Sequence, residues 1–509
     1  MKLRADTGES TWIAVHLPLI ELEAFIPCWQ HGLRSSAIVV LKQNRVIAMS
    51  HTAMVAGVRV GMRRGGVQML LPDVHFFTQD NTRETAALSA IALALLRYTP
   101  QVSFAEDASI LLDIGASIRL FGGLPSLRRL VRSTVKSLGY SPTIGCAPTA
   151  KTAWLFARNA ARIGRLGQSC LRTTHISAAT DRLSVDLLIA AASSHDLLQG
   201  LACHSLADLK ALPRAGLQRR CGKSLLAELD LAYSSRSTPQ IWIVAAPEFC
   251  AKIELPDRSD STEELFTYSR SLLSQLLGWL HAHQFAVKQL RLELQHERGR
   301  QAVAPSVLDI DLAVASWQES NLLPLLKEKI SLLRLPGPVI SLVLKAPETV
   351  TRALASDSLF PETVTNPADH QHLLGLLVAR LGAAQVLRPC SQEDHRPEFA
   401  NQWISVMEPS VSTHSKESSV TPLTILRPTW LLAQAIVLEV RRHKPYLDSE
   451  LTLISPAERI EAGWWTDQTQ VRDYFVAVSA DHIRYWIYRE RSSHRNNAAP
   501  AWFLHGIFG

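Results

Sequence analysis

The chain has no apolar run long enough to cross a bilayer: the longest, near Ala86–Leu96, falls far short of the roughly 20 residues a membrane helix needs. The opening stretch, Met-Lys-Leu-Arg-Ala-Asp-Thr-Gly-Glu-Ser, lacks the apolar core of a secretory signal. Seven cysteines, at positions 28, 146, 170, 203, 221, 250 and 390, are scattered without a C-x-x-C pair, so neither a disulfide framework nor a zinc module is indicated. A reducing cytoplasm, away from membranes, is the expected setting. No G-x-G-x-x-G is present, and Gly222-Lys223-Ser224 only imitates the end of a P-loop, because Gly216 lies one residue too early and a helical stretch precedes it; it reads as a helix start. The pairs His281/His283 and His370/His372 have no cysteine or third histidine at ligand spacing and read as surface histidines. No metal and no cofactor is expected. Charge of one sign is scarce too: 53 Lys and Arg against 46 Asp and Glu leave +7, which supports a polyanionic partner without requiring one.

What is present is ample core material. With 47% hydrophobic residues over 509 positions, the chain is long enough for several domains. From 10 to 165, short β-rich runs (Ile13–Leu17, Ala37–Leu41, Val46–Ser50, Ser109–Ile114, Thr143–Cys146) alternate with helical stretches (Thr85–Leu96, Leu124–Leu138, Ala150–Ala161), the pattern of an α+β domain with a small insertion. Residues 166–238 contain no convincing strand and read as short helices. Within them, His204–Gly222 reads as helix, tight Pro/Gly turn, helix. Residues 239–350 carry the order β-α-β-β-α-β. Residues 351–425 read as a connecting segment that turns polar from about 385 and includes a Ser/Thr-rich linker at Pro409–Pro422, and residues 426–509 suggest a small β-rich domain with many Trp and Tyr.

Several segments resemble the Y family of DNA polymerases. Trp12–Phe25 reads as a buried strand turning into a helix, where that family carries its first metal-binding aspartate; here the place holds His16. Ser103–Asp113 resembles the family's hairpin with an adjacent Asp-Glu pair, and those two places hold Ala108 and Ser109. His51–Met62 resembles the segment in which a Tyr and an Arg hold the incoming triphosphate, replaced here by His51 and Met54. Asp113–Gly123 and Thr143–Trp154 fit the palm strands and the helix that follows. The resemblance therefore implies a multidomain α+β fold: palm and fingers, helical thumb, little finger, and a C-terminal β-rich domain.

Nucleotidyl transfer needs paired divalent ions held by carboxylates. Glu106 and Asp107 lie two residues short of the missing pair, a slip of about 6.6 Å along a strand, too far for direct ligation unless a bulge restores the register. His16 brings no negative charge and suits softer metals than magnesium. Glu21 and Glu23 are expected on the solvated face of the first helix, and Asp113 to be structural. The expectation is an inactive centre; the alternative is an active translesion polymerase with a rearranged carboxylate set of Glu106, Asp107 and Asp113.

Blocks in the tail, Glu393–Glu398, Arg427–Leu432, Pro456–Trp465, Arg472–Phe475 and Trp502–Gly509, resemble the ImuB subfamily, the catalytically silent Y-family members of bacterial mutagenesis cassettes. That resemblance covers essentially the whole chain and implies an adaptor for translesion synthesis in the DNA-damage response, nucleoid-associated in the cytoplasm. Its partners would be primer-template DNA, the β sliding clamp of DNA polymerase III, a RecA-like accessory protein of the ImuA type and an error-prone DnaE-type polymerase of the ImuC type. Arg214, Gly216, Arg219 and Arg220 in the helical turn, with Arg298 and Arg300 in a loop of the little finger, are the candidate DNA contacts. Ser356-Asp357-Ser358-Leu359-Phe360 resembles the clamp-docking peptide Q-L-x-L-F, with Ser356 in place of Gln. Trp464, Trp465, Trp502, Phe503 and Phe508 are the candidate partner contacts, although the core of a small β domain is the expected place for most aromatic residues of the tail. A DNA-binding structural protein without a clamp role is the third class.

Overall fold

Every residue of the first strand, Trp12–His16, is buried, as expected of a central strand covered on both faces. The computed structural model describes residues 10–29, 36–234, 239–297, 304–352, 367–392, 394–408, 427–464, 470–491 and 501–508. The chain divides into two compact units, Met1–Arg380 and Leu381–Gly509.

In the first unit, Trp12–His16 lies between Ser109–Asp113 and Thr143–Ala147, antiparallel to both, in a five-stranded sheet completed by Val102–Ala105 and Gly167–Ser169. Alternate side chains serve two cores. Ile13 and Val15 meet the helices Asn81–Leu95 and Leu124–Ser137, whereas Trp12 and Ala14 meet Ala150–Arg162 and the helices beyond it. A Cβ on Gly145 would stand 1.9 Å from the carbonyl oxygen of Ala153, so glycine there lets helix and sheet approach closely. The insertion is a three-stranded sheet, with Ile38–Lys42 between Arg45–Met49 and His75–Thr78, packed with the helices His51–Val55 and Arg64–Leu70.

Residues 166–234 are largely helical, with one correction: Gly167–Ser169 forms a short strand parallel to Ile144–Cys146. The helix Leu206–Ala211 leads through Leu212 and Pro213 into Arg214–Tyr233. Gly222, at φ 89° and ψ 169°, breaks the latter, so a new helical run starts where the sequence placed one. The connecting segment then runs along the edge of the sheet, where the Ile243 amide donates to Val102 O at 2.8 Å and Trp242 stacks on Trp12 at 6.0 Å.

The β-α-β-β-α-β order is present as Cys250–Ser259, Thr262–His283, Phe285–His296, Ser306–Ser316, Glu319–Ser331 and Val339–Thr351. These strands form an antiparallel sheet in which Phe285–His296 and Val339–Thr351 are central. Thr262–His283 is buried over most of its length because it packs on this sheet and also on the helix Asn81–Leu95, where a Cβ on Gly278 would meet Leu93 O at 1.8 Å.

The described residues of 351–425 include regular elements that the sequence did not suggest. They contain the helix Pro367–Leu381, whose Ala379 joins the core of the preceding sheet, and the antiparallel pair Leu387–Ser391 and Asn401–Ser405. Pro409–Pro422 lies outside the described residues.

The second unit is built on a closed ladder. Trp430–Arg441 pairs with Lys444–Leu447 on one side and Trp502–Ile507 on the other; the latter continues to Arg484–Glu490 and Gln470–Val478. The short segment Ser449–Leu453 pairs with Lys444–Leu447 at one end and with Gln470–Val478 at the other, returning the ladder upon itself as a barrel. Glu458–Ala462 adds to the free part of the Gln470–Val478 edge.

Candidate functional site

The end of the first strand is where the resembled family would carry metals. His16 sits directly opposite Ser109, and its Nδ1 lies 3.1 Å from Ser109 Oγ and 2.9 Å from Asp107 O. His16 is 7% exposed and Ser109 fully buried. Burial, the largest influence, pulls the His16 pKa below the ordinary histidine value against the opposing pull of Asp107. Ala108 stands at φ 45° and Asp107 at φ 56°, two consecutive left-handed residues that make the tight turn between strands. The Leu17 amide donates to Ala108 O at 3.1 Å, so the position next to His16 is closed by backbone.

The Asp107 carboxylate and the backbone beside it are otherwise engaged. Arg158 Nε donates to Asp107 Oδ2 at 2.5 Å, Arg158 also bonds Leu187 O, and Trp154 Nε1 donates to Glu106 O at 3.0 Å. Lys151, Trp154 and Arg158, spaced to share one face of Ala150–Arg162, are linked further by both cations lying over the indole, at 3.8 and 4.5 Å. Sequence reasoning missed this group; its helical spacing was the available signal. Asp113 pairs with Trp12, at the far end of the strand from His16, and its Oδ1 accepts from the Gly115 amide at 3.1 Å. Four residues along a strand is about 13 Å, so Glu106, Asp107 and Asp113 are not brought together. Among the described residues no group of three or more His, Cys, Asp or Glu side chains is arranged to hold a metal ion.

Glu23 corrects the expectation of a solvated helix face. It is 2% exposed and accepts from Ser141 through both backbone N–H (2.7 Å) and hydroxyl (2.5 Å). Glu21 is half-buried, and burial followed by the charge of Glu84 raises its carboxyl pKa. His51 and Met54 are exposed on the small insertion.

The helical turn presents Gly216, Arg219 and Arg220 to solvent, and no side chain stands where a Gly216 Cβ would be. Arg214 is turned back to Asp230 at 2.5 Å. Arg220 borders a cavity of about 230 Å³ lined by Leu197, Leu201, Leu212, Pro213 and Leu217. Arg298 and Arg300 lie outside the described residues; the loop that bears them leaves from His296, which is buried and held by Gly337 O at 2.9 Å and Ser306 Oγ at 2.7 Å.

Among the described residues, the sheet of the little finger region has no surplus of positive charge on the face turned from its helices. Arg291 holds Asp309 through two bonds (2.7 and 3.1 Å), Lys345 meets Glu293 at 2.6 Å, Lys252 meets Glu254 at 3.0 Å and Lys288 meets Glu348 at 2.7 Å. Asp311 accepts from Gln289 at 2.8 Å. His281 and His283 are structural: His281 bonds Leu277 O and His283 bonds Ala246 O.

Ser356, Asp357, Ser358, Leu359, Phe360 and Trp465 lie outside the described residues. Of the other tail candidates, Trp464 is 76% exposed, Trp502 is 9% exposed inside the barrel, and Phe503 and Phe508 pack against the cluster that holds Tyr474, Trp486 and Tyr488, with Phe503 stacked on Tyr488. The tail blocks that carried the resemblance largely hold one another. Arg472 pairs with Glu398 (3.0 Å) and with Tyr474 Oη (3.2 Å), whose hydroxyl also lies 2.8 Å from His505 Nδ1; Arg427 pairs with Glu458; Arg459 pairs with Asp473 at 2.9 Å.

A five-stranded sheet with an inserted small sheet, a helical turn region and a β-α-β-β-α-β domain make up a Y-family polymerase-like fold, to which a β-rich unit is added. Residues 26–158 match the impB/mucB/samB family. The chain is 24% identical over 472 residues to Protein ImuB of Caulobacter vibrioides, in strain NA1000 / CB15N and in strain ATCC 19089 / CIP 103742 / CB 15, covering 89% of this chain and all of the relative. It is thus ImuB-like along most of its length. Among solved structures it is similar to DinB from Sulfolobus solfataricus (14% identity, TM-score 0.38, 67% of this chain and 100% of that one) and to an insertion ternary complex of Dbh DNA polymerase (15%, 0.38, 66% and 98%).

Proposed function

We propose that this chain is a non-catalytic, polymerase-like adaptor that binds primer-template DNA and brings an error-prone polymerase to it during translesion synthesis. The observation that carries the reading is the contact between His16 and Ser109, which fills the strand end with an uncharged buried pair where two magnesium ions would need carboxylates. Arg219 and Arg220 beside the open turn at Gly216 supply the DNA contact; the sheet face of the little finger region, with its cations already paired, contributes shape more than charge. Leu359 and Phe360 dock in the apolar pocket of a sliding clamp, and the C-terminal unit meets a RecA-like accessory protein and a DnaE-type polymerase.

Primer extension on undamaged and abasic templates tests the central claim, with Mg²⁺ and then Mn²⁺, beside a Glu106→Ala/Asp107→Ala/Asp113→Ala control. No extension by protein that binds the same DNA is expected. Extension that vanishes in the control would overturn the adaptor reading. For the clamp, Leu359→Ala with Phe360→Ala should abolish binding to purified clamp while DNA affinity is kept; unchanged clamp binding would refute that contact.

A further inference from the structure

On one face of the second unit, the register of Glu458–Ala462, Gln470–Val478 and Arg484–Glu490 sets Arg459, Asp473 and Arg489 side by side across three strands. Arg491 follows two residues after Arg489, tied in by its amide to Val471 O at 3.1 Å. The Asp473 side chain is 3% exposed and draws all three guanidiniums: Arg459 Nε at 2.9 Å, Arg491 Nε at 2.9 Å and Arg489 Nη2 at 3.7 Å. One cation would neutralise a buried carboxylate. Three leave a surplus that Glu461, 3.9 Å from Arg459, offsets only in part.

These arginines remain 48%, 36% and 51% exposed, so N–H groups not used by Asp473 face water. Guanidiniums anchored on a common carboxylate are ordered before any ligand arrives, and their planar donor forks suit phosphate oxygens. The same end of the barrel carries two more features. Gly463, at φ 80°, turns the chain out of its strand immediately before Trp464, which is 76% exposed. The pairings of Arg489 with Trp502 and of Trp502 with Leu438 also carry the row round to the hairpin whose tip, Arg442, is exposed.

We propose that this barrel end binds single-stranded nucleic acid, with phosphates on Arg489 and Arg491 and an unpaired base stacked on Trp464. Exposed indole beside ordered cations favours an unpaired strand over duplex, because only a splayed base offers a free ring face. The site is separate from the helical turn and independent of whether the strand end at His16 is catalytic.

The test is fluorescence anisotropy of a labelled 20-nucleotide oligothymidylate with the full chain across a salt series. Compared are wild type, Arg489→Ala/Arg491→Ala (which leaves the Arg459–Asp473 pair), Trp464→Ala, and Arg219→Ala/Arg220→Ala. The Arg489/Arg491 variant is expected to bind roughly ten-fold more weakly, with a salt slope shallower by about 1.4, that is about 0.7 for each of two lost phosphate contacts. Trp464→Ala should weaken binding several-fold at unchanged slope, and the same increments should appear on the Arg219/Arg220 background. Absence of oligothymidylate binding by wild type, or unchanged affinity and slope in a folded Arg489/Arg491 variant, would overturn the proposal. So would displacement of the oligonucleotide by polyglutamate at equal charge concentration, which would make an acidic peptide the occupant. Arg489→Gln/Arg491→Gln replaces the alanine pair if that fails to fold, and Trp464→Ala tests stacking on its own.

Discussion

Asp107 and Ala108 hold left-handed backbone without being glycine, a conformation that costs on the order of 1–3 kcal/mol per residue and persists only where surroundings impose it. The imposing partners are Arg158, Trp154, His16 and Leu17, all bonded to the turn. Arg158→Ala should therefore destabilise more than Asp107→Ala, because Arg158 also bonds Leu187 O and lies over Trp154, while Asp107 is nearly half exposed. Urea denaturation of both variants and the double variant should give about 2 kcal/mol for Arg158→Ala, about 1 for Asp107→Ala, and a coupling of several tenths. Equal losses would show that the ion pair is the whole of the interaction. His16, Ala108 and Ser109 were singled out in the sequence because each stands in a short motif that resembles one of the Y family. Arg158 was not, because 51 positions separate it from Asp107 and only the fold joins them.

Among elements, the long buried ones announced themselves. Trp12–His16 and Thr143–Ala147 are buried throughout, and Thr262–His283 is apolar on more than one side because it serves two neighbours. Leu387–Ser391 was missed: its residues are exposed or half-buried and Pro389 sits within it, so the sequence reads as polar loop. Glu23 was misjudged for the opposite reason, a charged residue whose burial depends on Ser141 far along the chain. The closest contact between elements gives a sharp prediction. Gly278→Ala puts a methyl where Leu93 O already stands, and should cost at least about 2–3 kcal/mol or separate the two helices. Thermal unfolding reads the first outcome and faster proteolysis of residues 239–249 the second; a variant unchanged in both would mean the helices do not meet at Gly278. For the helical turn, Arg219→Ala with Arg220→Ala should weaken primer-template binding and make its salt slope shallower by about 1.8, at about 0.9 per duplex phosphate contact. An unchanged slope would remove these residues from the interface.

At the scale of the whole molecule, acid should act on both units through histidines held neutral by burial. Burial is the leading cause that lowers the pKa of His281 and His16 in the first unit and of His505 in the second. Because the unfolded chain binds these protons more readily, stability is full above the unfolded histidine pKa of about 6.5 and declines as pH falls below it. Melting followed at pH 7.5, 6.5 and 5.5 should show this decline. His505→Gln should lessen it in the transition reported by barrel tryptophans, and an identical pH profile in that variant would exclude His505 as a source. The barrel itself was only half legible: its strands show as β-rich runs, whereas its closure depends on Ser449–Leu453 bridging two distant partners, which no local pattern encodes.

That closure also sets a schedule for synthesis. Trp502–Ile507 comes last among the barrel strands, yet it stands between Trp430–Arg441 and Arg484–Glu490. While the ribosome is still upstream of it, Trp430–Arg441 and Arg484–Glu490 have no strand to join them and both edges stay open to foreign strands. The unit can thus seal only after residue 507 has left the exit tunnel, and a stop codon anywhere before Trp502 would leave an unclosed sheet in place of a shortened barrel.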